Sequence, residues 1–74
     1  MRETAAPVQS FGEFIRLRRL QLNLTQFDVA DRAGTTQGYI SKVEKGLKEP
    51  TITLALKICE VLNLDINDFA IDYL

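Results

Sequence analysis

Apolar residues recur along this chain at three- and four-residue intervals, and nowhere do they alternate with polar ones as in a half-exposed strand. That spacing predicts five helical segments. The first runs from Phe11 to about Leu22, with Phe11, Phe14, Ile15 and Leu22 on one face. In the second the apolar positions are Phe27, Val29, Ala30 and Ala33, and in the third Ile40 and Val43 face inward. The fourth, Ile52 to Leu62, carries two stripes. Ile52, Ala55, Leu56, Cys59 and Leu62 form one, assigned to the core; Leu54, Ile58 and Val61 form the other. A surface helix needs one apolar stripe, so the second must pack on something further. The fifth segment, Ile66 to about Tyr73, carries Phe69 toward the core. Residues 1–10 have no such periodicity and are interrupted by Pro7, which reads as a flexible N-terminal arm preceding a folded domain over 11–74.

The residues between these segments are helix starts and stops. Ser10 and Glu13 spell a capping box, S-x-x-E, at the head of the first helix. Asn23 tolerates a left-handed backbone and ends it. Thr25 caps the second helix, and Asp28 places a carboxylate against the positive helix end. The turn Ala33-Gly34-Thr35 follows, with Gly34 free to adopt the left-handed conformation, and Thr36 caps a third helix from Gln37 to about Lys45. Gly46 stops that helix, Leu47 to Pro50 is a loop, Thr51 starts the fourth helix, Asn63 closes it and Asp65 caps the fifth. Two short helices joined by a sharp glycine turn make a helix-turn-helix, whose second helix can enter the major groove of DNA.

Composition narrows the alternatives. With 74 residues the chain is one small domain, for which oligomerisation is a common route to extra stability. No run of about 18 apolar residues is present, so no transmembrane span is expected. The N-terminus lacks the basic-then-apolar pattern of a secretory signal. One Cys and no His exclude an internal disulfide framework and argue against zinc. Cys59, on the core stripe, reads as a small buried hydrophobe. A reducing cytoplasmic setting fits, and no cofactor or small-molecule effector is indicated. No nucleophile stands beside a base and no glycine-rich phosphate loop is present, so the chain is not read as an enzyme. The net charge of -1 conceals an asymmetry. Residues 1–48 hold eight Lys and Arg against five Asp and Glu, a net +3; residues 49–74 hold one against five, a net -4. A basic front and an acidic back place one face on nucleic acid and keep the other off it.

In order and spacing, IRLRR on the first helix, LTQFDVADRAG on the second, TTQGYISKVEKG on the third and the PTITLALKICEVLNLDINDF that follows resemble one family, the phage repressor/Cro-like (XRE-type) helix-turn-helix regulators. The resemblance covers about residues 11–70. It implies an all-α, compact five-helix, lambda-repressor-like domain whose second and third helices bind double-stranded DNA. It also implies that Gln26, the first residue after the second helix cap, touches the phosphate backbone, and that Arg19 and Glu44 form a partly buried ion pair between the first and third helices. The family's usual glycines are replaced by Asn23 and Asn63, which preserve a left-handed cap, and many members have Leu in place of Arg18.

The chemistry of the exposed third helix gives the remaining site residues. Gln37 can bond adenine N6 and N7 in a bidentate fashion, and Gln26 can brace such a side chain as well as meet a phosphate. Lys42 lies a turn beyond Gln37 and reads guanine or holds a phosphate. Tyr39, Ser41 and Thr36 complete the surface, Tyr39 either on DNA or packed over the second helix. Lys45 and Lys48 are candidate phosphate clamps. Arg16 and Arg18 are either further phosphate contacts or a solvated face. Gly38 is either a flaw in the helix or room for a close approach.

One short recognition helix makes few base contacts, so a homodimer on an inverted repeat is expected, with Leu54, Ile58, Val61, Ile71 and Leu74 as its interface, or else Leu17 and Leu20 with the arm. The functional expectation is a repressor or controller-type transcriptional regulator of bacterial or phage origin, its occupancy set by its own concentration. The alternative is an antitoxin-like or adaptor protein that uses the same fold to hold a protein partner.

Overall fold

The structure, a computed structural model, describes residues 10–73, with side chains placed as far as Phe69. The described residues form five α-helices: α1 (Phe11–Gln21), α2 (Gln26–Ala33), α3 (Gln37–Glu44), α4 (Ile52–Val61) and α5 (Ile66–Tyr73). Residues 1–9, read as most of a flexible arm, lie outside them.

Each of the first four helices starts on a hydroxyl. The side chains of Ser10, Thr25, Thr36 and Thr51 accept the backbone N–H three residues on, satisfying a donor that the helix itself leaves unpaired. At α2 the box is reciprocal: Asp28 accepts the Thr25 N–H at 2.9 Å while Thr25 accepts the Asp28 N–H at 3.0 Å. Asn23 and Asn63 follow α1 and α4 at φ 58° and 55°, the left-handed stops that the sequence predicts.

Ile15, Val29, Ala30, Ala33, Ile40, Val43, Ile58 and Leu62 form one buried cluster drawn from α1, α2, α3 and the end of α4. Phe11, Phe14 and Phe69 stack beside it, with ring centroids 5.2 to 6.3 Å apart, and tie α1 to α5. At Gly12, α1 lies close against α3. A Cβ on Gly12 would collide with the carbonyl oxygen of Val43, so α1 can lie this close only because position 12 has no side chain.

The two stripes of α4 fall differently from the expectation. Ile58 is fully buried, and Leu54 and Val61 are half-buried against the core, so Ile58 is not available to a second subunit. Ile52 and Leu56, assigned to the core, are 68% and 48% exposed. The reason is rotational. Ala55, Cys59 and Leu62 of the core stripe are buried as expected, and the position of α2 against the helix turns Ile58 inward beside them and Ile52 and Leu56 outward. Phe27 and Leu22, counted among the apolar positions of their helices, are exposed. Ile71 and Leu74 carry side chains outside the described ones.

Candidate nucleic-acid interface

The turn after α2 fixes where α3 points. Gly34 adopts φ 77° and ψ 32°, and the Thr35 N–H donates to the Ala30 carbonyl at 2.9 Å. A residue with a Cβ would pay about 1–2 kcal/mol for that conformation. Two residues later Thr36 accepts the Tyr39 N–H at 3.1 Å and α3 begins. Ile40 and Val43 then pin α3 to the core, which leaves Gln37, Gly38 and Lys42 exposed and Ser41 half-buried between them. Tyr39 is half-buried against the core cluster, as in the packed alternative. Thr36, Lys45 and Lys48 are exposed, Lys45 directly after α3 and Lys48 in the following loop. No φ constraint and no neighbour within 4 Å of an added Cβ requires glycine at position 38. The fold itself therefore gives no reason for this gap in the exposed face.

Behind this face lies a chain of polar contacts. Arg19 and Glu44 are bonded twice, Nε to Oε2 at 2.7 Å and Nη2 to Oε1 at 3.1 Å, and the side chains are only 11% and 2% exposed. The third arm of the guanidinium, Nη1, donates to the Leu24 carbonyl at 2.8 Å, which holds the α1–α2 loop. A buried charge survives only when it is paired and hydrogen-bonded, and removing either partner alone costs about 3–5 kcal/mol. Outward from the pair, Gln26 Nε2 donates to Glu44 Oε1 at 3.1 Å, and Gln37 Nε2 donates to Gln26 Oε1 at 3.3 Å. Four side chains from α1, α2 and α3 thus run from the buried ion pair to the exposed tip of the recognition helix. The link from Gln26 to Glu44 was not foreseen, because the residues are far apart in sequence and neither forms a local motif with the other.

Arg16 is exposed, whereas Arg18 is engaged within the fold: its Nε donates to the Leu62 carbonyl at the end of α4 at 3.1 Å, and its Nη1 to Gln21. A cation at a helix C-terminus meets the carbonyls that the helix leaves unpaired. That role accounts for Arg at position 18. Backbone and hydroxyl hydrogen bonds from Thr25, and then the charge of Arg32, hold the Asp28 carboxyl below its ordinary range. Burial, with Asp65 nearby, pushes the Cys59 thiol up; it is 2% exposed and inert. Among the described residues no group of three or more His, Cys, Asp or Glu could hold a metal ion, and no helix is long and apolar enough to cross a membrane.

Residues 15–69 match the helix-turn-helix family. The transcriptional regulator ClgR of Mycobacterium tuberculosis is 36% identical over 61 residues, covering 82% of this chain and 54% of that protein. An HTH-type transcriptional regulator of Archaeoglobus fulgidus is 40% identical over 53 residues, covering 72% of this chain and 75% of that protein. The crystal structure of the clp gene regulator ClgR from Corynebacterium glutamicum matches with a TM-score of 0.81 at 25% identity, over 90% of this chain and 71% of that one. The chain therefore spans about half the length of the mycobacterial regulator it resembles.

Proposed function

The chain belongs to the XRE-type (Cro/C1) helix-turn-helix family, DNA-binding transcriptional regulators rather than enzymes, and from that premise we propose that it binds an inverted repeat in double-stranded DNA as a homodimer. The observation that carries this reading is the exposed face of α3. Gln37, Gly38 and Lys42 stand clear of the core, Ser41 lies between them, and the exposed Lys45 and Lys48 follow the end of the helix. Gln37 reads adenine, its amide matching the N6 donor and N7 acceptor. Lys42, Lys45 and Lys48 neutralise phosphates, while Gln26 and Thr36 position the helix on the backbone.

Two features support the second subunit. An α3 of eight residues, one of them glycine, offers too few base contacts for tight binding by a monomer. The exposed Ile52 and Leu56 give α4 an apolar ridge; Leu56 also lines a depression with Leu64, Ile66 and the acidic Glu60, Asp65 and Asp68, and Ile52 lines another with Pro50, Ile66 and Phe69. We assign the dimer contact to this ridge in place of Ile58.

Footprinting on duplexes recovered by in vitro selection tests the reading. The expected result is a protected inverted repeat whose affinity falls steeply with salt, because bound lysines release counterions from phosphates. Absence of a protected repeat at every salt concentration would reject it.

A further inference from the structure

We infer that Glu44, which is too buried to touch DNA, sets the base preference of Gln37 by fixing the orientation of two amides in series. This rests on the reading of Gln37 as the adenine-contacting residue. Both carboxylate oxygens of Glu44 accept from Arg19, and a carboxylate has no donor to offer Gln26. A glutamine amide has one accepting end and one donating end. Only one orientation of Gln26 therefore bonds Glu44, the one that presents Nε2 to Oε1 at 3.1 Å. That orientation turns Gln26 Oε1 outward, and only the donating end of Gln37 answers it, at 3.3 Å.

The consequence reaches the exposed tip of α3. With one N–H committed to Gln26, Gln37 is left with a free Oε1 and a second N–H. An acceptor beside a donor complements adenine, which offers the N6 donor and the N7 acceptor. Guanine offers two acceptors, O6 and N7. A reversed Gln37, accepting from Gln26, would present two N–H donors and would complement guanine instead. The negative charge between α1 and α3 thus selects adenine over guanine without approaching either. Glu44 and Gln26 are positioning residues for the base contact of Gln37.

The test is in vitro selection from randomised duplexes with the wild type, Glu44→Gln, Gln26→Met and Arg19→Lys, with thermal melting of each protein alongside. An amide at position 44 can donate to Gln26 while still accepting from Arg19, so the series is free to reverse. Gln26→Met cuts the series and leaves the ion pair intact. Arg19→Lys weakens the pair and leaves Glu44 an acceptor. The wild type is expected to favour adenine over guanine at one position of each half-site by roughly 5- to 150-fold, and Glu44→Gln and Gln26→Met to bring that ratio within about threefold. Arg19→Lys is expected to melt earlier and to keep the wild-type preference. A mere loss of stability predicts the reverse, with preference following melting temperature. Wild-type preference in Gln26→Met, or an equal loss in Arg19→Lys and Glu44→Gln, overturns the inference. If Glu44→Gln does not fold, wild-type preference in Gln26→Met still overturns the inference. A wild type that selects no sequence at all rejects the DNA-reading role of α3 itself, a failure distinct from loss of the amide series.

Discussion

Two glycines in this chain carry opposite consequences. At Gly12 an added methyl group would collide with the backbone of Val43 and crowd Glu44, and a backbone cannot move aside as the end of a side chain can. At Gly38 an added methyl group meets open space in an ordinary helical position. Thermal or denaturant unfolding should separate them. Gly12→Ala is expected to cost about 1–3 kcal/mol from overpacking, and Gly38→Ala to stabilise by up to about 1 kcal/mol from helix propensity. Equal effects at the two positions would show that α1 and α3 do not meet at Gly12. The cost at Gly38 was one of two readings open in the sequence; the collision at Gly12 was not legible there. Nothing local to Gly12 reports a carbonyl brought in from a distant helix. The Arg19–Glu44 pair, by contrast, was anticipated through resemblance, because its two members fall at positions the family pairs.

At the level of the helix, local chemistry was legible and orientation was not. The starts on Ser10, Thr25, Thr36 and Thr51 and the left-handed stops at Asn23 and Asn63 depend on a few adjacent residues, and the sequence placed them correctly. The facing of α4 depends on where α2 lies, so two apolar stripes could not be ranked from the sequence, and Ile58 was read as surface when it is core. The capping box of α2 has a consequence in acid. The Asp28 carboxyl is depressed below its ordinary value, first by the Thr25 hydrogen bonds and then by Arg32. A lowered folded-state pKa means that the stabilisation is complete above the unfolded value and is lost as pH falls through the folded one. Asp28→Asn is therefore expected to flatten the acid side of the stability-against-pH curve, measured by denaturant unfolding from neutral pH downward, lowering stability most near neutrality and least in acid. An unchanged acid slope would mean that the box contributes nothing there.

For the whole molecule, the proposed division of the surface rests on the uneven charge, the exposed face of α3 and the apolar ridge of α4. The charge split is a sum over sequence and could be read directly; the ridge could not, because it appears only once α4 is turned. Sedimentation tests the ridge. Leu56→Asp is expected to raise the dimer dissociation constant about thirtyfold or more, as for loss of an interface anchor, with Leu17→Asp on α1 leaving it unchanged. Unaltered sedimentation of Leu56→Asp would move the interface elsewhere. The central claim, that α3 reads DNA with its exposed polar face, is tested most directly by the double variant Gln37→Ala, Lys42→Ala. Both side chains are exposed, and the variant should melt close to the wild type. Its binding is measured on the duplex selected by the wild type and on a random duplex of equal length, at one fixed salt concentration. The expected result is that the preference for the selected duplex is lost, while weak salt-sensitive binding to both persists through Lys45 and Lys48. A folded double variant that keeps the full wild-type preference would contradict recognition by α3.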